Sequence, residues 1–155
     1  MKRKVTILII VLSVIITAGT GTGLGLYFWL NPLGEGNENL EPGTVLSSGS
    51  FVQFDTAHWG EGPVQIVQLE NDDLQVQFDN VEIANGPDLY VYLSNKSIFY
   101  GTFDSPGDYI DLGLLPYNKG TFSIAIPEST DINDVKSILI WCLQFTVVFT
   151  YAALS

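Results

Sequence analysis

The chain holds one cysteine, Cys142, and one histidine, His58. A lone thiol has no intrachain disulfide partner. The chemistry open to it is a cycle through sulfenic acid or a mixed disulfide, or ligation of a metal centre. In an oxidising exterior an unpaired cysteine is unusual enough to mark. The competing reading makes Cys142 a small hydrophobe in a core. Lys136 is the nearest basic residue in sequence, so nothing adjacent favours a reactive thiolate. His58, in "DTAHWGEG", has the type of a metal ligand or of a proton acceptor for the thiol, and equally of ordinary loop surface.

Other residue types narrow the chemistry further. One histidine and one cysteine exclude most zinc sites. No G-x-S-x-G, phosphate-binding loop or Ser/His/Asp order occurs, so hydrolase or transferase activity has no support. Asn71-Asp72-Asp73 lacks the rest of a calcium-loop pattern, and Asp88 after Gly86-Pro87 reads as a turn aspartate. Trp59, Trp141 and the seven tyrosines could stack on a sugar, or pack. "NKS" at 95–97 fits a glycosylation acceptor by pattern alone.

The elements that must position these residues are strands. "DLQVQFD" alternates, with Leu74, Val76 and Phe78 on one face and Gln75 and Gln77 on the other. "PVQIVQL" precedes it across Asn71-Asp72-Asp73, which predicts a hairpin. "LYVYLS" and "TFSIAIP" show the same period, and "SFVQF" opens the series. Turn clusters "NGPD", "DSPGD" and "YNKG" separate them. "STDINDVKS" is the one helix-like piece, a turn or two with Ser129 or Thr130 as cap. Around the thiol, "SILIWCLQFTVVF" is apolar on both faces as far as Cys142, which predicts a central strand covered on both sides. Beyond it the cysteine's own face carries Gln144, Thr146 and Thr150. Read as one continuous strand, this places Cys142 where dry packing gives way to water, within reach of a reagent. The expected architecture is all-β, an antiparallel sandwich-like or barrel-like domain.

Val5 to Leu30 contains no charged side chain. As a helix, those 26 residues reach about 39 Å, against about 30 Å of hydrocarbon. Lys2, Arg3 and Lys4 precede the run, and the positive-inside rule puts them in the cytoplasm. A cleaved signal peptide is the rival, but "ITAGTG" is a poor cleavage site. The expected organisation is a basic tail (1–4), one transmembrane signal-anchor helix (5–30), a flexible linker (31–46) and an extracytoplasmic β-domain (47–155). Residues 31–155 carry three lysines against 17 acidic side chains, a net −14. Such a surface repels nucleic acid and anionic lipid, leaving the membrane as a partner through the N-terminal helix only.

Four stretches, "GPDLYVYLS", "DLGLLPYNKG", "IPESTDINDVKSILIWC" and "QFTVVFTYAAL", together resemble the DM-thirteen domain of Skeletor-like extracellular proteins. The likeness spans about residues 47–155. Two places depart from the family pattern: Thr150, where glycine is common, and "NKGTF" at 118–122. The resemblance implies a β-sandwich-like extracytoplasmic module in electron transfer. It also implies a redox role for the tryptophan-cysteine position, here Cys142, as a bare thiol or as a ligand to a group such as haem. His58 would then be the one histidine available as a second axial ligand. A redox partner protein follows from that role. The alternative is a non-catalytic adhesion or binding module for sugar, calcium or protein.

Overall fold

The computed structural model describes residues 33–155. The expected basic tail and transmembrane helix lie outside the described residues. Among the described residues no helix is long and apolar enough to cross a membrane.

Ten strands follow in order: β1 (Glu35–Asn37), β2 (Gly43–Ser50), β3 (Gly60–Glu61), β4 (Pro63–Leu69), β5 (Leu74–Ile83), β6 (Leu89–Ser94), β7 (Tyr109–Leu114), β8 (Lys119–Ile126), β9 (Ser137–Cys142) and β10 (Val147–Ala153). They form two sheets. One has the order β1-β8-β5-β4-β2, with β3 on β5; the other is β10-β9-β6-β7. The sheets face each other as a sandwich. They are stitched along one side by the Phe51–Ala152 bridge and reciprocal backbone bonds between Ser48 and Ser155. The described chain is all-β, as the period-two pattern predicts.

Alternation decides which side chains meet between the sheets. Val64, Ile66, Val76, Phe78, Leu89, Val91, Phe122, Ile138, Ile140 and Cys142 form the main core. Odd-numbered β9 residues Leu139 and Trp141 face the other way, into a second cluster with Tyr92, Phe99 and Val148. Strand β9 is therefore central and covered on both faces, as its apolar run predicts. The β4–β5 hairpin forms where expected, with Asp72 at φ 70° in its loop.

Three expectations change. Residues 35–37 and 43–46 are strand, not free linker: β1 pairs in parallel with β8, and β2 pairs with β4. Composition signals a coil there, but an open edge on each side of the sheet recruits the backbone regardless of side chain. The "STDINDVKS" segment forms turns, not helix, and Asp131 caps the backbone of Asn133. The third change concerns the cysteine. "SILIWCLQFTVVF" is two strands, not one. The chain reverses at Leu143–Thr146, with Thr146 at φ 57°, and returns as β10 with Val147 beside Cys142. Gln144 and Thr146 thus belong to a turn and do not mark a wet face of β9.

Candidate functional site

Cys142 is the last residue of β9, paired with Leu89 on β6 and Val147 on β10. Its side chain points between the sheets and has no exposed surface. The expectation of a reachable thiol is corrected here: the hairpin folds a strand over the position that an extended reading left open. The thiol donates to the Pro87 carbonyl at 3.0 Å. Burial pushes the thiol pKa up, and the Asp88 carboxylate adds to this. Against them, the backbone amides of Phe145 and Gln144 face the sulfur and favour its anion. The tight reversal is what brings those amides round. The 84–88 link supplies the other wall, with Asp88 at φ 56° and its carbonyl accepting the Leu143 N–H at 3.0 Å.

Trp141 points to the outer face of the same sheet. Its ring lies 6.3 Å from Tyr92, which stacks on Tyr109 at 4.1 Å and 15°. Tyr92 is buried, and Tyr109 is 47% exposed. Burial raises the Tyr92 pKa, with the Asp111 carboxylate adding to it. Sequence reasoning took these tyrosines for packing or a sugar platform and did not see that β6, β7 and β9 stack them. The signal available was the register of "LYVYLS" beside "SILIWC", which needs the strand order to be read.

His58 sits in the loop between β2 and β3. Asp55 Oδ1 accepts from the Ala57 and His58 amides at 2.7 and 2.8 Å. The His58 Nδ1 lies 2.9 Å from Asp55 Oδ2, and this partner lowers the Asp55 pKa. The imidazole meets the ring of Phe149 edge-on, 5.1 Å between centroids. Phe149 in turn rests on Gly86, where a Cβ would come within 2.5 Å of its ring. His58 and Cys142 therefore flank a common wall, Gly86-Pro87 and Phe149, without being brought into contact through any described bond.

These residues do not fit a haem held between Cys142 and His58. The sulfur is sealed, its strand neighbours Leu89 and Val147 are 2% and 5% exposed, and Asp55 engages the histidine. A macrocycle there would displace the core between the sheets. Open clefts lie elsewhere. One, of about 190 Å³, is lined by Asn95, Asp108, Tyr109, Asp131 and Asp134, at the end of the sandwich away from Cys142. Among the described residues no three His, Cys, Asp or Glu side chains gather as a metal site. The Asn71–Asp73 loop is closed by its own hydrogen bonds.

Both departures from the family pattern have local explanations. Thr150 Oγ1 donates to the Val52 carbonyl at 2.6 Å, and its methyl fills space left by Gly60. In "NKGTF", Asn118 donates to the Ile83 carbonyl at 3.2 Å. Gly120, at φ +97°, lets the β1 backbone pass over it.

Fold and site define a class: a two-sheet β-domain with a lone cysteine closing a central strand. Residues 50–154 match the family described as Electron transfer DM13, and the chain belongs to that family. No curated protein and no solved structure matches the chain.

Proposed function

We propose that the chain is a single-pass membrane protein whose extracytoplasmic β-domain transfers electrons through Cys142, with Val5–Leu30 as the anchor. Family membership supports electron transfer. The observation that carries the role of Cys142 is its turn: two backbone amides face a sulfur that burial otherwise keeps neutral. Such amides stabilise a thiolate once solvent reaches it. Chemistry at the sulfur therefore runs through an opened form in which the 84–88 link lifts away, releasing the Pro87 carbonyl, while residues 143–146 keep their amides on the sulfur. The exposed thiolate attacks a disulfide of a redox partner protein. A mixed disulfide forms between Cys142 and the partner, whose second sulfur leaves as thiolate. A dithiol donor protein then attacks the Cys142 sulfur, releasing the partner as a dithiol. The donor's second thiolate displaces Cys142 as thiolate, so that the donor ends as a disulfide and its two electrons reside on the partner.

A short link of this kind opens locally at less cost than global unfolding, and each ~1.4 kcal/mol of opening slows modification tenfold. The test is the rate of reaction with a disulfide reagent under native conditions, beside the urea dependence of that rate. Modification of the native domain with little urea dependence supports local opening. Modification only along the global unfolding curve, with electron transfer intact in Cys142→Ala, removes Cys142 from the mechanism.

One observation favours a second reading, a binding module. Tyr100 and Phe103 are 90% and 89% exposed on the 95–108 loop while the thiol is sealed. Loss of partner binding in a Tyr100→Ser/Phe103→Ser double variant, with Cys142→Ala unaffected, would select it.

A further inference from the structure

The way the chain enters the sandwich fixes which end can face a bilayer. The composition of residues 31–46 suggests a tether of roughly 20–24 Å. The structure shortens it. Leu33 already packs on the core. Glu35–Asn37 are paired with Lys119–Thr121. The Glu38 amide donates to the Thr121 carbonyl at 2.9 Å, and the Glu38 carboxylate accepts from the Ser123 amide at 2.9 Å. Only Asn31 and Pro32 separate the apolar run from Leu33. Three Cα–Cα steps span at most about 11 Å.

Leu33 and Glu35 enter at the Lys119 end of β8. The short links 84–88 and 115–118 join that end to the start of β6 and the end of β7. Cys142 pairs with Leu89 and Val147 at the same end. The 143–146 turn therefore lies on the end of the sandwich where the chain arrives. The opposite end is a strand away, about 17–20 Å for six residues, beyond what the tether allows if that end were to touch the membrane.

Exposed apolar side chains occur at both ends, so exposure alone chooses neither. At the entry end stand Leu114 (60% exposed), Leu143 (46%) and Phe145 (59%). Phe103 joins them, because the neighbouring Thr102 carbonyl accepts from the Val148 amide at 2.7 Å. We infer that this end of the domain rests on the lipid surface, with Leu143 and Phe145 in the interfacial zone of the bilayer that holds Val5–Leu30. The inference rests on the proposed membrane anchor. Glu35, Glu61, Glu82 and Asp88 also lie near this end, so uncharged lipid suits it better than anionic lipid.

The full chain is reconstituted into phosphatidylcholine vesicles with a fluorophore on Phe145→Cys, Leu143→Cys or, as the far-end control, Ile98→Cys. The unsubstituted chain measures background labelling of Cys142. Brominated lipid should quench positions 143 and 145 roughly twofold and leave position 98 unchanged. Flotation of the same samples reports the anchor separately. A chain that fails to float defeats the anchor, and this inference with it. A chain that floats with position 145 wet, or dry but unquenched because a second copy or another protein covers it, overturns the lipid contact while the anchor stands.

Discussion

The proposed chemistry turns on a sulfur whose surroundings pull in two directions. Burial disfavours the thiolate, and the amides of Phe145 and Gln144 favour it. The net result is a raised pKa, and the sign of its effect on stability follows. Below the ordinary value of 9.0 both folded and unfolded chains keep the proton, and the folded state is at full strength. Above it the unfolded chain ionises while the folded one resists, so stability falls as pH rises, by at most ~1.4 kcal/mol per pH unit for one proton. Urea titrations of residues 33–155 between about pH 8 and 10 should show this decline. The Cys142→Ala variant, less stable at every pH, should lack its first part. Tyr92, also raised by burial, contributes only above its ordinary 10.0. An identical pH slope in wild type and variant would show that the thiol is not buried as described. Nothing about the neighbours of Cys142 was legible in "SILIWCLQF" beyond its apolar faces, because the sealing residues come from β10 and the 84–88 link.

Among the elements, β1 is the one that composition hides. Three residues, of which only Gly36 is buried, carry no side-chain period that a sequence reading can use. Their place depends on Gly120 and Gly36, whose backbones pass so closely that a Cβ on Gly120 would collide with the Gly36 carbonyl. Gly120→Ala combines that collision with a positive φ. It should free residues 33–38, raise their amide exchange to the rate of an open chain, and cost about 1–3 kcal/mol of stability. Protected amides at 35–38 in that variant would mean that β1 is held by something other than the glycine crossing. The longer strands were legible for the opposite reason. β5 and β8 alternate apolar with polar or small side chains over six residues, β6 alternates aliphatic with aromatic ones, and one face of each lies in the main core.

At the scale of the whole molecule, charge and tether set the terms of encounter. Residues 31–155 carry a net −14, which steers basic partners and repels acidic ones. Association with a cationic redox protein should slow at least tenfold as salt rises from about 0.1 to 1 M, while the screening length drops from roughly 10 to 3 Å. Stopped-flow mixing measures this, and a rate indifferent to salt would leave the acidic surface with a solubility role only. With the proposed anchor at Val5–Leu30, a domain held within about 11 Å of it would meet partners at the membrane, not far above it.

Local pattern by itself determined the all-β class, the hairpin at Asn71–Asp73 and the central place of β9. Each rests on periodicity or composition within a dozen residues, where side-chain alternation and burial coincide. Tertiary structure alone decided that the chain reverses at Leu143–Thr146, that the thiol is sealed, that Trp141, Tyr92 and Tyr109 form one stack, and that the supposed linker is pinned from Leu33 onward. Those outcomes depend on which strands become neighbours. Backbone hydrogen bonding between strands far apart in sequence selects the neighbours, and it leaves little trace in the side chains of either strand taken singly.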